Sequence, residues 1–111
     1  VIGMERLRMG DDEPILLERT TVPAKLVTNF SKHDLTESLY VTLGKAGVQP
    51  GRAEQTISAS LANERLAELL QIKRGDAILT VRQVSFDQND RPFEYVRSYY
   101  VCERFEFTLT R

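Results

Sequence analysis

Twice in this chain a run of alternating residues meets a polar turn, passes a proline and continues as a second alternating run. The first run, Met4-Glu5-Arg6-Leu7-Arg8-Met9, leads into Gly10-Asp11-Asp12-Glu13-Pro14 and then Ile15-Leu16-Leu17-Glu18. The second runs from Ala77 to Phe86, turns over Asp87 to Arg91 and continues from Pro92 to Cys102. Period-two patterning on both sides of an Asp/Gly/Pro-rich turn is the signature of a β-hairpin. Two such hairpins commit most of the chain to an antiparallel sheet. Strands are expected at about 3–10 and 14–22, the latter closed by Pro23, which cannot donate to a ladder.

The hairpins resemble one another. Asp12-Glu13-Pro14 with Leu16 and Glu18 corresponds to Asp90-Arg91-Pro92 with Glu94 and Val96. Glu18 and Glu94 both lie an even number of residues past their prolines, and Arg6, Arg8 and Arg82 an even number before them. Either the hairpins form a pseudo-repeat in one sheet, with these charges on one face, or the match is coincidence.

Between them, Ala24 to Phe30 reads as a short helical turn. Asp34 can cap a helix, with Glu37 at the capping-box spacing. That helix runs to Ala46 with Leu35, Leu39 and Leu43 on one stripe, and Gly47 stops it. Pro50-Gly51 is expected to turn, Glu54 to Leu61 to form a strand, and Asn63 to cap a second helix. This helix spans Glu64 to Lys73, buries Leu66, Leu69 and Leu70, and ends at Gly75. The tail from Phe105 to Leu109 alternates and is expected to extend the sheet. The fold class is therefore α+β: a mostly antiparallel sheet of about five strands with two helices packed on it.

At 111 residues this is one domain with a modest core,. A hydrophobic fraction of 41% with 28% charged residues is ordinary for a globular chain,. No apolar run approaches the ~20 residues of a membrane span. Cys102, the single cysteine, cannot form an internal disulfide, so nothing points to an oxidising compartment,. A formal net charge of -1 leaves no basic footprint for nucleic acid,. His33 is the single histidine and lies in a polar stretch, so no Ser-His-Asp set and no histidine metal cluster can be assembled,.

The chemistry that remains is anion recognition. Residues two apart on a strand point to one face, so Arg6 and Arg8 stand side by side, roughly 7 Å apart at twice the strand rise. Two guanidinium forks in one wall make a clamp for carboxylate or phosphate; the other reading is a solvated strand face. The early turns of the helix bearing Ser38 and Tyr40 offer unpaired N–H groups, a hydroxyl and a phenol. Glu18 and Glu94 stand among apolar and aromatic neighbours, where carboxylates need partners. Each pairs with an arginine or accepts from a ligand.

In order along the chain come Arg6-x-Arg8, a turn with Pro14, an apolar strand reaching Glu18, Ser38-Leu39-Tyr40, Pro92-x-Glu94-Tyr95 and the aromatic pair Tyr99-Tyr100. This series resembles the UTRA effector-binding domain of GntR-type bacterial transcriptional regulators, the HutC-like branch, over essentially the whole chain. The resemblance implies a chorismate-lyase-like fold. It implies that Arg6, Arg8, Ser38 and Tyr40 bind the anionic end of a small metabolite, and that Glu18, Glu94 and Tyr100 bind the opposite end. Tyr99 points to the other face, towards core or interface, and Arg97 lies on the surface.

The resemblance further implies a cytoplasmic, non-enzymatic sensor without cofactor or membrane. It would pair as a homodimer and reach operator DNA only through a winged helix-turn-helix domain outside residues 1–111. A helix and strand that the family usually carries before the Arg-x-Arg strand are also expected to be missing. The effector would be a phosphosugar, a phosphonate or a carboxylate, and the Ser38 helix would be the moving part. A dimerisation module with a vestigial pocket, and a chorismate-lyase-like enzyme, are the alternatives. The last turn, Val101-Cys102-Glu103-Arg104-Phe105, departs from the family's Gly-Asp pattern there, which leaves the role of Tyr100 open.

Overall fold

The computed structural model describes residues 1–28 and 39–111. Five strands form one antiparallel sheet: β1 (Ile2–Gly10), β2 (Glu13–Val22), β3 (Pro50–Leu61), β4 (Ala77–Asp87) and β5 (Pro92–Val101), in the order β1-β2-β5-β4-β3. A 3-10 turn covers Ala24–Leu26, and helices α1 and α2 cover Leu39–Lys45 and Glu64–Leu70. The expected α+β architecture is borne out. The capping box of Asp34 and Glu37, and Leu35, fall outside the described residues.

Each helix covers a different face of the sheet. Leu17 and Val22 are both buried and have opposite strand parity, so they face opposite ways,. Leu17 packs with Leu66, Ala67 and Leu70 of α2, together with Ile78 and Val101. Val22 packs with Leu39 and Leu43 of α1, together with Phe93. One sheet with a helix on each side thus holds two small cores.

The hairpins are related as the sequence suggested, and their geometry is closer than their identity. Pro14 and Pro92, and Arg19 and Arg97, are separated by the same stretch of chain. Arg19 is also the cross-strand partner of Arg97, so a pseudo-two-fold axis passes between them. In each hairpin the register slips just past the proline: Arg8 pairs Leu16 while Met9 pairs Pro14, and Ser85 pairs Glu94 while Phe86 pairs Pro92. Ile15 and Phe93 are therefore the extra residues of two equivalent β-bulges. The bulge at Phe93 lets both Phe93 and Glu94 meet α1.

Four expectations are corrected. Arg82 does not share a face with Arg6 and Arg8. The β4–β5 turn is one residue longer than the β1–β2 turn, which inverts the parity of the incoming strand, and Arg82 pairs Arg97 on the α2 side. Pro50-Gly51 does not turn but opens β3, which begins at Pro50; an edge strand tolerates the missing donor. The helix from Glu64 ends at Leu70, because Gln71 takes the left-handed conformation (φ 55°) and its N–H returns to Ala67 and Glu68. Finally, Phe105 to Leu109 forms no strand: the chain turns after Val101, and Phe107 and Leu109 stay exposed.

Asn63 caps α2 as expected, its Oδ1 accepting from the Leu66 N–H at 2.9 Å,. Past α1, Gly47 adopts φ +85°, a conformation that favours glycine,.

Candidate functional site

The sheet face beneath α1 carries a cleft of about 450 Å³. Alternation decides which side chains reach it. Arg6 pairs Glu18, Glu18 pairs Ser98, and Ser98 pairs Val81, so one side chain from each of four strands lines a continuous row across the sheet. Leu39 and Tyr40 reach the cleft from α1.

Of the seven residues singled out in the sequence, Arg6, Glu18, Tyr40, Glu94 and Tyr100 line this cleft. Arg8 stands beside it, with its side chain 51% exposed. Ser38 lies outside the described residues. Tyr99 is on the opposite face, against the α2 core, and Arg97 lies over the ring of Tyr95 on that side.

At one end, Arg6 Nε and Arg8 Nη2 both stand 3.9 Å from Oε1 of Glu18. That is too long for a hydrogen bond. Among the described residues neither guanidinium makes a hydrogen bond, so their donors remain available, with Glu18 beside them as a counter-charge,. Arg19 shows the contrast: on the other face its Nε donates to Oε2 of Glu5 at 2.9 Å.

At the other end Glu94 is 7% exposed. Its Oε1 accepts from the Tyr40 hydroxyl at 2.8 Å and from Ser85 Oγ at 3.1 Å. Behind Ser85 runs a directed chain: Gln55 Nε2 donates to Gln83 Oε1, Gln83 Nε2 donates to Ser85 Oγ, and Ser85 donates to Glu94. Every donor points towards the carboxylate. Tyr40 also sets its ring against Phe93, at 6.2 Å between centroids. Burial first, then the Glu94 hydrogen bond and charge, hold the Tyr40 phenol above its ordinary pKa,.

Two ends of unlike chemistry thus face each other across one floor. The residues divide differently from what the resemblance implied: Tyr40 stands at the Glu94 end, while Glu18 and Tyr100 stand in the rows of Arg6 and Arg8. The arginine end offers donors to an anion, and the Glu94 end offers acceptors to hydroxyl or amine groups. Tyr100 stacks at 4.4 Å on Phe105, which holds its ring at the cleft edge. The polar floor of Thr20, Gln55, Gln83 and Ser98, with Ser85 bonded to Glu94 beside it, was not among the expected site residues. A signal was there for two of them, since Thr20 shares strand parity with Glu18, and Ser98 with Glu94 and Tyr100. The placing of Gln55, Gln83 and Ser85 depends on registers of β3 and β4 that a sequence does not display.

Similarity to known proteins follows the whole of this architecture. A family model described as the UTRA domain matches residues 1–106. The chain is 27% identical over 103 residues to the HTH-type transcriptional repressor NagR of Bacillus subtilis (strain 168), covering 92% of this chain and 42% of that protein. It is 31% identical over 109 residues to the HTH-type transcriptional repressor PhnF of Mycolicibacterium smegmatis, covering 97% and 45%. Among solved structures, a GntR-family transcriptional regulator from Enterococcus faecalis V583 superposes with a TM-score of 0.92 at 52% identity, covering 98% of this chain and 79% of that one. The chain spans less than half the length of the curated relatives it matches.

Proposed function

The chain belongs to the UTRA domain family, and on that premise we propose that it is the effector-sensing domain of a GntR-type (HutC-like) transcriptional regulator. A small anionic metabolite, a phosphosugar, phosphonate or carboxylate, binds between α1 and the sheet. Its anionic group takes the donors of Arg6 and Arg8, beside Glu18 and Tyr100 and with Ser38 in the same end by family resemblance, and its hydroxyl or amine groups meet Glu94. The observation that carries this reading is the pair of guanidinium groups, held beside Glu18 yet without a hydrogen bond, at the mouth of a cleft large enough for a metabolite. Relatives named as transcriptional repressors favour a sensor over an enzyme.

A ligand acts through such a domain only if it prefers one of two arrangements. Tyr40 ties α1 to Glu94, so occupancy of the cleft and the seating of α1 are coupled. The domain pairs as a homodimer in this reading, and operator DNA is bound by a winged helix-turn-helix domain outside residues 1–111. The twelve exposed residues of the β3 edge are in keeping with self-association,.

The test is a thermal-shift screen against phosphosugars, phosphonates, small carboxylates and inorganic phosphate. A ligand at 100 times its Kd adds about 2.7 kcal/mol to stability, so a phosphorylated hit raises Tm. Silence across the panel from a folded protein removes the anion from the proposal.

A further inference from the structure

Near the pseudo-two-fold axis the cleft floor carries a second matched pair. Thr20 and Ser98 are separated by the same stretch of chain as Arg19 and Arg97, so they are equivalents in the two hairpins. Both line the cleft. Thr20 is 4% exposed and Ser98 is 7% exposed. Thr20 pairs Val96 and Ser98 pairs Glu18, which makes the two diagonal neighbours on one face, about 7–8 Å apart.

Neither hydroxyl has a hydrogen-bond partner among the described residues. Yet no fully enclosed polar side-chain atom there is left without one. Both oxygens therefore open onto the cleft, and the space above them supplies what they bond to. Polar groups this deeply placed cost free energy unless they are satisfied. Ser85, on the same face, shows the satisfied alternative, bonded to both Gln83 and Glu94.

The geometry points to Thr20 and Ser98 as a specificity-determining pair that hydrogen-bonds the body of the ligand, between its anionic group and the group that meets Glu94. This rests on the anion-binding function proposed above and narrows it. A hydroxyl both donates and accepts, so the pair suits a ligand whose middle carries hydroxyls. It disfavours an aliphatic anion of equal charge, which would cover both oxygens without bonding them. Specificity of this kind arises because unpaired buried polar groups penalise the wrong ligand.

The experiment compares glucose 6-phosphate with butyl phosphate by calorimetric titration of the parent chain, Thr20→Val, Ser98→Ala and Thr20→Ser. The expected result is tighter binding of glucose 6-phosphate to the parent. That preference should fall by about threefold to tenfold with each hydroxyl removed, while butyl phosphate is unaffected. Thr20→Ser keeps the hydroxyl and should retain the preference, which separates its loss from damage to the sheet. Equal binding of the two phosphates, or a preference unchanged in the valine and alanine variants, overturns the role of the pair and leaves the anion site standing. No binding of either phosphate by the folded parent overturns the phosphate-ester reading of the anion site and the role of the pair with it.

Discussion

The hydroxyl of Tyr40, on α1, donates a 2.8 Å hydrogen bond to Oε1 of Glu94, on β5, where Ser85 Oγ donates to the same atom. This contact joins a helix to the sheet at the end of the cleft away from the arginines. Its consequences reach into stability, titration and ligand binding.

Tyr40 is one of four tyrosines, and its phenol is raised from the ordinary value of 10.0. A group whose folded pKa is raised contributes stability that is present in full below its unfolded value and lost as pH climbs through the folded one. The parent should therefore lose stability above pH 10 through this group, and Tyr40→Phe should lack that component. Phenolate ultraviolet absorbance should lose a late-titrating component when Tyr40 is replaced by Phe. Near neutral pH, Tyr40→Phe should cost about 1 kcal/mol in urea unfolding. A variant whose tyrosine titration matches the parent would refute the contact.

The two arginines should contribute unequally. Arg6 lines the cleft, whereas Arg8 stands beside it and is half exposed. Arg6→Ala and Arg8→Ala should each weaken binding of a phosphorylated ligand, by more than about 1.5 kcal/mol, the low end for a charge-assisted contact, and Arg6→Ala by the larger margin. Both should leave Tm of the empty domain within a few degrees of the parent. Calorimetric titration that finds Arg8→Ala binding as tightly as the parent would reduce the clamp to Arg6.

Arg104 is expected to matter for folding rather than binding. Its Nη1 donates to the carbonyls of Pro14 and Leu70 at 2.8 Å, its Nη2 donates to that of Gln71 at 2.9 Å, and Nε lies 3.4 Å from Glu13. One side chain thus satisfies the C-terminal end of α2 and ties it to the first hairpin turn. Arg104→Ala should lower unfolding free energy by about 2–3 kcal/mol, read as a fall in urea midpoint at constant m. A loss below about 0.5 kcal/mol would make it an ordinary surface residue.

Gly51 should tolerate no side chain. A Cβ there would lie 2.8 Å from the carbonyl oxygen of Asp87 and 3.2 Å from that of Phe86. Both are backbone atoms, so β3 must pull away from β4 at the end where its register already shifts. Gly51→Ala should destabilise by about 1–3 kcal/mol, with early amide exchange at Ala53 and Ser85. Gly3→Ala, with open space around it, is the control and should stay near the parent.

Local order was legible in the chain: both proline-bounded hairpins, the Asn63 cap and the stop at Gly47 all follow from period, donor loss and backbone freedom within a few residues. So was part of the cleft, because Arg6 with Arg8, and Glu18 with Glu94, share strand parity with residues near at hand. What could not be read was anything that depends on how one strand counts against another. A turn longer by one residue sends Arg82 to the far face, and a bulge at Phe93 turns two consecutive side chains towards α1. Pairing across distant segments brings Gln55, Gln83 and Ser85 into line behind Glu94, and sets Thr20 and Ser98 about the pseudo-axis. Local pattern settled most of the strands, Pro50-Gly51 and the tail from Phe105 excepted, and which residue types could offer charge to an anion. Register decided which of them meet, because a shift of one residue reverses every side chain on a strand and costs nothing that local sequence records.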